Sequence, residues 1–312
     1  MDIDPAKVGK DAGELFGYPK CGVTVTDDID AALALEADIV MAYTALTIED
    51  GRMMPFTPTA KTLCKVLNAG KNLVTTMPLY FSQAYEPETY AILDSCAKKN
   101  SVTYTPSGLL PGAYASYIPM VCSSIMARVD SIIVESGEDD RTNTAAWLRV
   151  FSYGKGPSEI NKEALEKLIV HYYSCAVYEN ASILGFAIDE LRTSHEVFTA
   201  PVDLETVNGP VKKGTISGHR FVMEGMVNGS PKVTMRYVHK VCNQIAPEPP
   251  IRDNIHIEGL PACIDVEITG MMPNDEPFAT SAAPTVNIIP AVVEAAPGYK
   301  QPMELRVVVP LH

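Results

Sequence analysis

The N-terminal third of the chain alternates short apolar runs with segments of helical character. Apolar or β-branched runs, typical of strands buried on both faces, occupy residues 37–44 (ADIVMAYT), 72–76 (NLVTT) and 102–105 (VTYT). Segments with helix start or stop signals separate or flank these runs, at residues 28–36, 57–70 and 88–100. This order predicts right-handed βαβ units, and therefore a doubly wound (Rossmann) parallel sheet with helices on both faces.

Two further elements are predicted ahead of these runs. Asp4-Pro5 offers a helix cap followed by proline at the first helical position, and Gly22–Thr26 reads as a short β-branched strand. Ligands of parallel sheets bind at the carboxyl ends of the strands. We therefore expect a common crevice lined by Thr44-Ala45-Leu46, Thr75-Thr76-Met77 and Ser107-Gly108-Leu109.

The pattern changes from Arg128 onward to strands with one buried face. Apolar and polar residues alternate over Val129–Ser136, Val233–Val238 and Cys263–Ile268, as in a mostly antiparallel sheet. Between the first two of these, residues 158–183 form a predicted helix with Ser158 as its N-cap and Gly185 as its stop. The second half is therefore predicted to be an α+β domain whose broad sheet forms a two-fold homodimer.

Composition narrows the classes of partner and location. The length of 312 residues favours two domains, and the net charge of −13 disfavours nucleic acid and anionic membrane surfaces. No apolar run is long enough to cross a membrane and the N-terminus has no signal-peptide pattern, so the sequence predicts a cytoplasmic protein. The seven cysteines are odd in number and lack C-x-x-C spacing, so neither a disulfide framework nor a metal site is expected.

Four blocks of residues carry a family resemblance over essentially the whole chain. They are residues 2–15 (DIDPAKVGKDAGEL), 70–76 (GKNLVTT), 107–112 (SGLLPG) and 283–298 (APTVNIIPAVVEAAPG). In order and spacing they resemble the dihydrodipicolinate-reductase-like NAD(P)-dependent oxidoreductases, which include 2,4-diaminopentanoate dehydrogenase and amine dehydrogenases. The resemblance implies a dinucleotide-binding domain at residues 1–127, a substrate and dimerisation domain at 128–277, and a C-terminal helix and strand at 278–312 that return to the cofactor side.

The resemblance also implies the cofactor and its contacts. The dinucleotide would be NAD or NADP, bound by residues that match the family pattern: Asp2, Thr44, Ala45, Thr76, Gly108 and Asn287. Asp2 would bind the adenosine ribose, which slightly favours NAD because a carboxylate repels a 2′-phosphate. Lys7 and Lys10 lie close by in sequence and weaken that preference.

The phosphate loop of such a domain is missing from this sequence. No Gly-x-Gly-x-x-Gly occurs, and Asp2 stands where the acidic residue at the end of the second strand belongs, roughly 20 residues after the loop. Three explanations are open: a truncation of a longer protein, a natural short form that binds no dinucleotide in the usual way, or a different fold. A sheet without its central strand would expose apolar surface, which favours truncation.

The family pattern is also broken at the predicted reaction centre. Amine dehydrogenases of this group carry an acidic pair where this chain has Met77-Pro78-Leu79-Tyr80, and their Asn-Pro-Gly reads Leu110-Pro111-Gly112 here. The candidates for acid or base are therefore Tyr80 and His171, with Glu135 and Glu179 as alternatives. Trp147, with Phe151 and Tyr153, is interpreted as packing, with a wall of the substrate pocket as its alternative role.

Two functions follow from these observations. The first is an oxidoreductase that transfers a hydride to or from a small carbonyl, imine or amine compound. The second is a cofactor-impaired paralogue that acts as a non-catalytic dimeric binding protein. Titration with NADH and NADPH discriminates between them.

Overall fold

The computed structural model describes residues 1–43, 48–49, 52–53, 56–271, 279–306 and 308–310. The α-helices are α1 Ala12–Leu15, α2 Ile29–Ala34, α3 Thr57–Asn68, α4 Ser82–Tyr85, α5 Pro87–Lys99, α6 Ile118–Ser123, α7 Lys162–Leu184, α8 Ala279–Asn287 and α9 Ile289–Glu294. The strands are β1 Ile39–Ala42, β2 Ile48–Glu49, β3 Arg52–Met53, β4 Asn72–Thr75, β5 Thr103–Pro106, β6 Arg128–Asp139, β7 Glu190–Thr199, β8 Leu204–Thr206, β9 Gly209–Val211, β10 Ile216–Val227, β11 Ser230–Lys240, β12 Asp253–Leu260, β13 Ile264–Ile268 and β14 Gly298–Tyr299. A π-helical turn, Leu109–Tyr117, follows β5.

The predicted parallel sheet is confirmed. Its strand order is β1-β4-β5-β14, and all three neighbouring pairs are parallel. Helices α3 and α5 bury one face through Leu63, Leu67 and Leu93, while α9 covers the other face through Val292. Because β14 comes from the end of the described chain, the C-terminal segment completes the N-terminal domain.

The segment before α2 differs from the prediction. Residues 5–9 form turns where a helix was expected, and Gly22–Thr26 forms only an isolated bridge from Thr24 to Asp11 instead of a strand. None of residues 1–43 is fully buried. Four backbone hydrogen bonds join residues 23–26 to residues 2–12, but the facing segment forms turns and the short helix α1 instead of a strand, so β-branched composition alone did not produce a ladder here.

The predicted second sheet is confirmed as mostly antiparallel. Six strands have the order β13-β12-β6-β11-β10-β7, and only the β6–β11 pair is parallel. Helix α7 packs on one face of this sheet, where its Ile169, Tyr173 and Val177 join Phe221 and Met235 in the core.

Helix α7 starts later than predicted and ends as predicted. The N-cap is Asn161, whose side-chain oxygen accepts from the Ala164 N–H at 3.0 Å, whereas Ser158 lies in a preceding 3-10 turn. Gly185 ends the helix with a φ of 76°, a left-handed conformation that favours glycine. Within the described residues, no helix is long and apolar enough to span a bilayer.

Candidate active site

A cavity of about 240 Å³ lies between the end of strand β5 in the parallel sheet and the second sheet. Its floor is formed by β6 and β11, and its other walls by the turn after β5, by helix α7 and by the loop after β6. The lining residues are Leu109, Leu110, Ser136, Glu138, Asn143, Ala145, Trp147, Tyr172, Tyr173, Tyr237, Met271 and Ser281. Water in the liquid occupies about 30 Å³ per molecule, so the cavity holds a ligand of small-metabolite size.

Aromatic rings form much of the lining of this cavity. Trp147 stacks on Tyr172 with ring centroids 6.3 Å apart, and the Tyr173 hydroxyl donates to the Tyr237 hydroxyl at 2.8 Å. Tyr173 and Tyr237 are buried, which fixes their rings in place. The alternative role predicted for Trp147, as part of a pocket wall, therefore agrees with its position, whereas Phe151 is fully buried in the core.

Among the described residues that line this cavity, Glu138 is the one carboxylate. It follows Ser136 on the inner face of β6, because alternate residues of a strand share a face. The Asn143 amide donates to its Oε2 at a long 3.4 Å. Burial raises the pKa of the Glu138 carboxyl; the positive charge of His239 opposes this, and the carboxylates of Asp140 and Asp253 add to it.

A buried ion pair stands directly behind Glu138. His239 Nδ1 donates to Asp140 Oδ2 at 2.7 Å, and the Tyr153 hydroxyl donates to the same oxygen at 2.6 Å. Both charged side chains are 0% exposed. Burial alone would lower the pKa of His239, but the carboxylates of Asp140 and Glu138 outweigh burial and raise it.

The carboxyl ends of the parallel strands meet beside this cavity. The Ser107 N–H donates to the Thr75 carbonyl at 2.8 Å, which brings Thr76 and Gly108 to the same edge of the sheet. At the end of β1, the Tyr43 hydroxyl lies 2.6 Å from Thr285 Oγ1 on α8, the helix that ends at Asn287. The structure therefore places Thr76, Gly108 and the helix bearing Asn287 along one edge of the sheet, and their binding of a dinucleotide stays a prediction.

The backbone at Gly108 leaves room for the close approach of a flat ring. Its φ is 148°, which L-residues with a side chain rarely adopt, and a Cβ built there would meet only the Tyr80 hydroxyl, at 3.8 Å. These features fit the nicotinamide end of a dinucleotide. The phosphate end has no Gly-x-Gly-x-x-Gly loop in this sequence.

The remaining cofactor residues predicted from sequence are Asp2, Thr44 and Ala45. Asp2 lies in an extended segment outside any strand, where its carboxylate accepts from Lys7 Nζ at 2.7 Å. The expectation that it ends a strand was wrong, because residues 1–10 pair with no sheet. Thr44 and Ala45 lie outside the described residues.

Tyr80 is a buried residue beside the turn after β5 and is not part of the cavity lining. Its side chain is 2% exposed, and burial raises its pKa well above 10. It therefore stays protonated at physiological pH, which argues against the role of base.

Close packing of Tyr80 on Gly112 gives a test of this arrangement. A Cβ at Gly112 would lie 2.2 Å from the Tyr80 hydroxyl oxygen, so Gly112→Ala is expected to lower the free energy of unfolding by about 1–3 kcal/mol. Denaturant unfolding measures this loss, and a second change, Tyr80→Leu, should recover part of it. Full stability of Gly112→Ala would contradict the close contact.

His171 faces away from the cavity that its neighbours Tyr172 and Tyr173 line. Its Nε2 lies 2.9 Å from Glu86 Oε1, and its ring centroid lies 5.3 Å from that of Phe56. Burial would raise the pKa of Glu86, but hydrogen bonds from His171 and Thr89 outweigh burial and lower it. His171 thus joins α7 to the N-terminal domain, and a role in proton transfer stays a prediction.

The two alternative carboxylates lie outside the cavity as well. Glu135 is on the opposite face of β6 and pairs with Arg236, at 3.0 Å, and with Arg252. Glu179 is 1% exposed on α7, where burial raises its pKa to about 7 and a hydrogen bond with Ser116 opposes the rise.

Among the residues that the structure describes, two groups of side chains have atoms close enough to share a metal ion. Potential ligand atoms lie within 4.8 Å of one another in Glu138, Asp140 and His239, and in His256, Glu258 and Cys263. In each group the imidazole already bonds a carboxylate: His239 bonds Asp140, and His256 bonds Asp265 at 2.9 Å. Both arrangements are typical of a histidine paired with a carboxylate.

Glu138 and the Asp140–His239 pair were not among the candidates predicted from the sequence. The signal was present in β6 and the residue after it, where Ser136, Glu138 and then Asp140 continue the alternation set by the buried Ile132 and Val134. Polar residues in the alternating positions of an otherwise apolar face indicate either a solvent-exposed strand end or a polar site. The sequence does not distinguish the two, because residues 143–147, which cover this end of the strand, have no periodic pattern from which their position could be predicted.

Comparisons with known proteins agree with this architecture. Residues 164–311 match the family model of the 2,4-diaminopentanoate dehydrogenase C-terminal domain. An amine dehydrogenase from Streptomyces virginiae is 27% identical over 322 aligned positions, covering 97% of this chain and 87% of that protein. The 2,4-diaminopentanoate dehydrogenase of Acetoanaerobium sticklandii is 24% identical over 235 positions, covering 73% of this chain and 64% of that protein.

A solved structure has the same fold. The amine dehydrogenase from Mycobacterium smegmatis superposes with a TM-score of 0.80 at 19% identity, covering 98% of this chain and 87% of that chain. The fold, the C-terminal domain match and the similarity along the chain agree with one another. Residues 164–311 thus match the C-terminal domain of 2,4-diaminopentanoate dehydrogenase, and the chain as a whole is similar in sequence and fold to amine dehydrogenases.

Proposed function

We propose that the protein is an NAD(P)-dependent oxidoreductase that transfers a hydride to or from a small substrate at a carbon–nitrogen or carbon–oxygen bond. One observation carries this proposal: a cavity of about 240 Å³ opens beside the carboxyl ends of a parallel sheet, at the turn that follows Gly108. Open parallel sheets bind dinucleotides at this edge. The similarity to amine dehydrogenases favours an amine or imine among the possible substrates.

The nicotinamide would lie against Thr76, Gly108 and the end of α8 at Asn287. When bound, it supplies or accepts the hydride. The protein's own contribution is to hold the substrate carbon close to that edge and to exclude water. The aromatic wall of Trp147, Tyr172 and Tyr237 suits both tasks, since large rigid rings lose little conformational freedom on binding.

Two further properties belong to this proposal. The protein is a homodimer that uses the face of the second sheet opposite α7, where Arg220–Glu196 and Arg236–Glu135 pairs form a polar surface. It acts in the cytoplasm.

Nucleotide binding tests the proposed function directly. We expect NADH, NADPH or both to bind the folded protein in a fluorescence titration. Gly108→Ala should weaken binding at least tenfold, because the new side chain fills the space above the strand end and φ 148° strains it.

The matched control is Gly209→Ala, which changes another glycine of positive φ, 113°, in the β8–β9 hairpin. This variant should bind the nucleotide like the unmodified protein. Failure of both nucleotides to bind the folded chain would reject the proposal in favour of a non-catalytic binding protein.

A further inference from the structure

The cavity combines one acidic group with a largely aromatic wall. Glu138 contributes the carboxylate, and Trp147, Tyr172, Tyr173 and Tyr237 contribute rings. No lysine or arginine is among the lining residues in the described part of the chain. Ring faces attract cations through their quadrupole, and a carboxylate attracts them by charge.

The neighbouring charges leave Glu138 without a full counter-ion. The positive charge of His239 acts on it, but that imidazole donates to Asp140, whose Oδ2 also accepts from Tyr153. With His239 protonated and both carboxyls ionised, Glu138, Asp140 and His239 together carry one net negative charge. Burial is the main cause of the raised pKa of Glu138, and the carboxylates of Asp140 and Asp253 add to it against the positive charge of His239.

We propose that Glu138 binds the charged nitrogen of the substrate and so selects small primary amines in their ammonium form. The inference rests on the proposed function, because it names the group that holds the reacting nitrogen in the same cavity. An ammonium hydrogen-bonded to the Glu138 carboxylate would complete the charge balance of the site. The rings would surround its apolar part.

Asn143 and the ion pair behind Glu138 position this carboxylate. The Asn143 amide lies 3.4 Å from Glu138 Oε2 and 3.3 Å from Asp140 Oδ1, so one side chain spans both acids. The loop that carries Asn143 is fixed by further bonds: the Asn143 side-chain oxygen accepts from the Ala145 N–H at 2.9 Å, and its carbonyl accepts from Asn208 at 2.7 Å. The acid is therefore held in place before a ligand arrives.

Binding can be read without turnover or cofactor, because Trp147 is the single tryptophan of the chain and lines the cavity. The probes are cyclohexylamine and cyclohexanol, which have the same number of non-hydrogen atoms and differ in carrying an ammonium or a hydroxyl. At pH 7.5 the amine is protonated, since aliphatic amines have a pKa of about 10.4. Tryptophan fluorescence and calorimetry give the two dissociation constants.

The unmodified protein should bind cyclohexylamine at least tenfold more tightly than cyclohexanol, as expected of a charge-assisted hydrogen bond. Glu138→Gln should abolish this preference while leaving the affinity for cyclohexanol within about twofold. The matched control, Glu135→Gln, removes a carboxylate from the opposite face of the same strand and should keep the preference. An unchanged preference in Glu138→Gln would overturn the proposal.

A pH titration of the unmodified protein gives a second test that does not depend on how a variant folds. The affinity for cyclohexylamine should be full at pH 8 and fall as the pH drops through the raised pKa of Glu138, while that for cyclohexanol stays flat. The titratable groups that face Glu138 are Asp140, Tyr153, Tyr173, Tyr237, His239 and Asp253. The pKa values of these tyrosines are raised, so none of the three ionises in this range.

The outcomes separate this inference from the proposed function. Nucleotide binding with no amine preference rejects Glu138 as the nitrogen-binding group and leaves the oxidoreductase proposal standing. An amine preference that depends on Glu138, in a protein that binds no nucleotide, supports the role of Glu138 and rejects the oxidoreductase proposal.

Discussion

Asp140→Asn is expected to lower the free energy of unfolding by about 3 kcal/mol at pH 6, the scale of breaking a buried ion pair by removing one partner. The carboxylate is 0% exposed and accepts from both His239 and Tyr153. An asparagine keeps the size of the side chain but removes the charge that stabilises the buried imidazolium. The loss should therefore exceed that of an exposed pair several-fold.

The effect has a definite pH dependence. In the unmodified protein the pKa of His239 is raised above its unfolded value, so the pair stabilises the fold at low pH and this contribution is lost as the pH rises through the folded pKa. Without Asp140, burial acts more strongly on the imidazole and the folded protein resists its protonation. The difference between variant and unmodified protein should therefore widen from pH 8.5 to pH 6.

Urea unfolding at these two pH values measures the difference. Asp130→Asn is the matched control, because Asp130 is 41% exposed in its pair with Arg128 and should contribute less than about 1 kcal/mol. A loss in Asp140→Asn that is equal at both pH values would contradict a charged His239 in the folded protein.

Stability is also expected to fall by about 3 kcal/mol between pH 4.5 and pH 7 because of Glu179. Burial raises its folded pKa from the ordinary 4.5 to about 7, and each unit corresponds to 1.36 kcal/mol. The unfolded chain releases this proton first as the pH rises. The stabilising contribution is therefore present below pH 4.5 and is lost by pH 7.

Glu179→Gln removes this titration and should flatten that part of the pH profile of unfolding free energy. The control is Glu163→Gln on the same helix, at a side chain that is 76% exposed, which should leave the profile unchanged. If Glu179→Gln keeps the full slope between pH 4.5 and pH 7, the carboxyl of Glu179 is not the group responsible.

The sequence pattern predicted the strands that are buried on both faces. It failed where a strand would need a second strand beside it and the facing segment forms none. The runs that became β1, β4 and β5 are apolar on both sides, so no other element type would bury them. Gly22–Thr26 has similar composition but forms a single bridge, because the facing residues 2–12, which hydrogen-bond to it, form turns and a short helix instead of a strand. Composition determines whether a segment can form a strand, whereas its pairing depends on which other strands lie beside it.

The edge of the sheet beside which the cavity opens could be predicted from the sequence, whereas the side chains that line the cavity could not. Strand-end positions such as Thr76 and Gly108 follow from topology and were placed correctly at one edge. The position of His171 was harder to predict. Consecutive residues of a helix point about 100° apart, so Tyr172 and Tyr173 line the cavity while His171, next to them in sequence, contacts the N-terminal domain. No sequence pattern indicates that His171 pairs with Glu86 instead of facing the cavity.

The return of the C-terminal segment to the first sheet has a consequence for folding during synthesis. The Tyr299 N–H donates to Asp94 Oδ1 across 205 positions of sequence, and β14 pairs with β5 over a similar span. Contacts this distant form slowly, because the intervening chain must first be ordered. The N-terminal domain therefore cannot close its sheet when it leaves the ribosome, and it stays open until the second domain has been made.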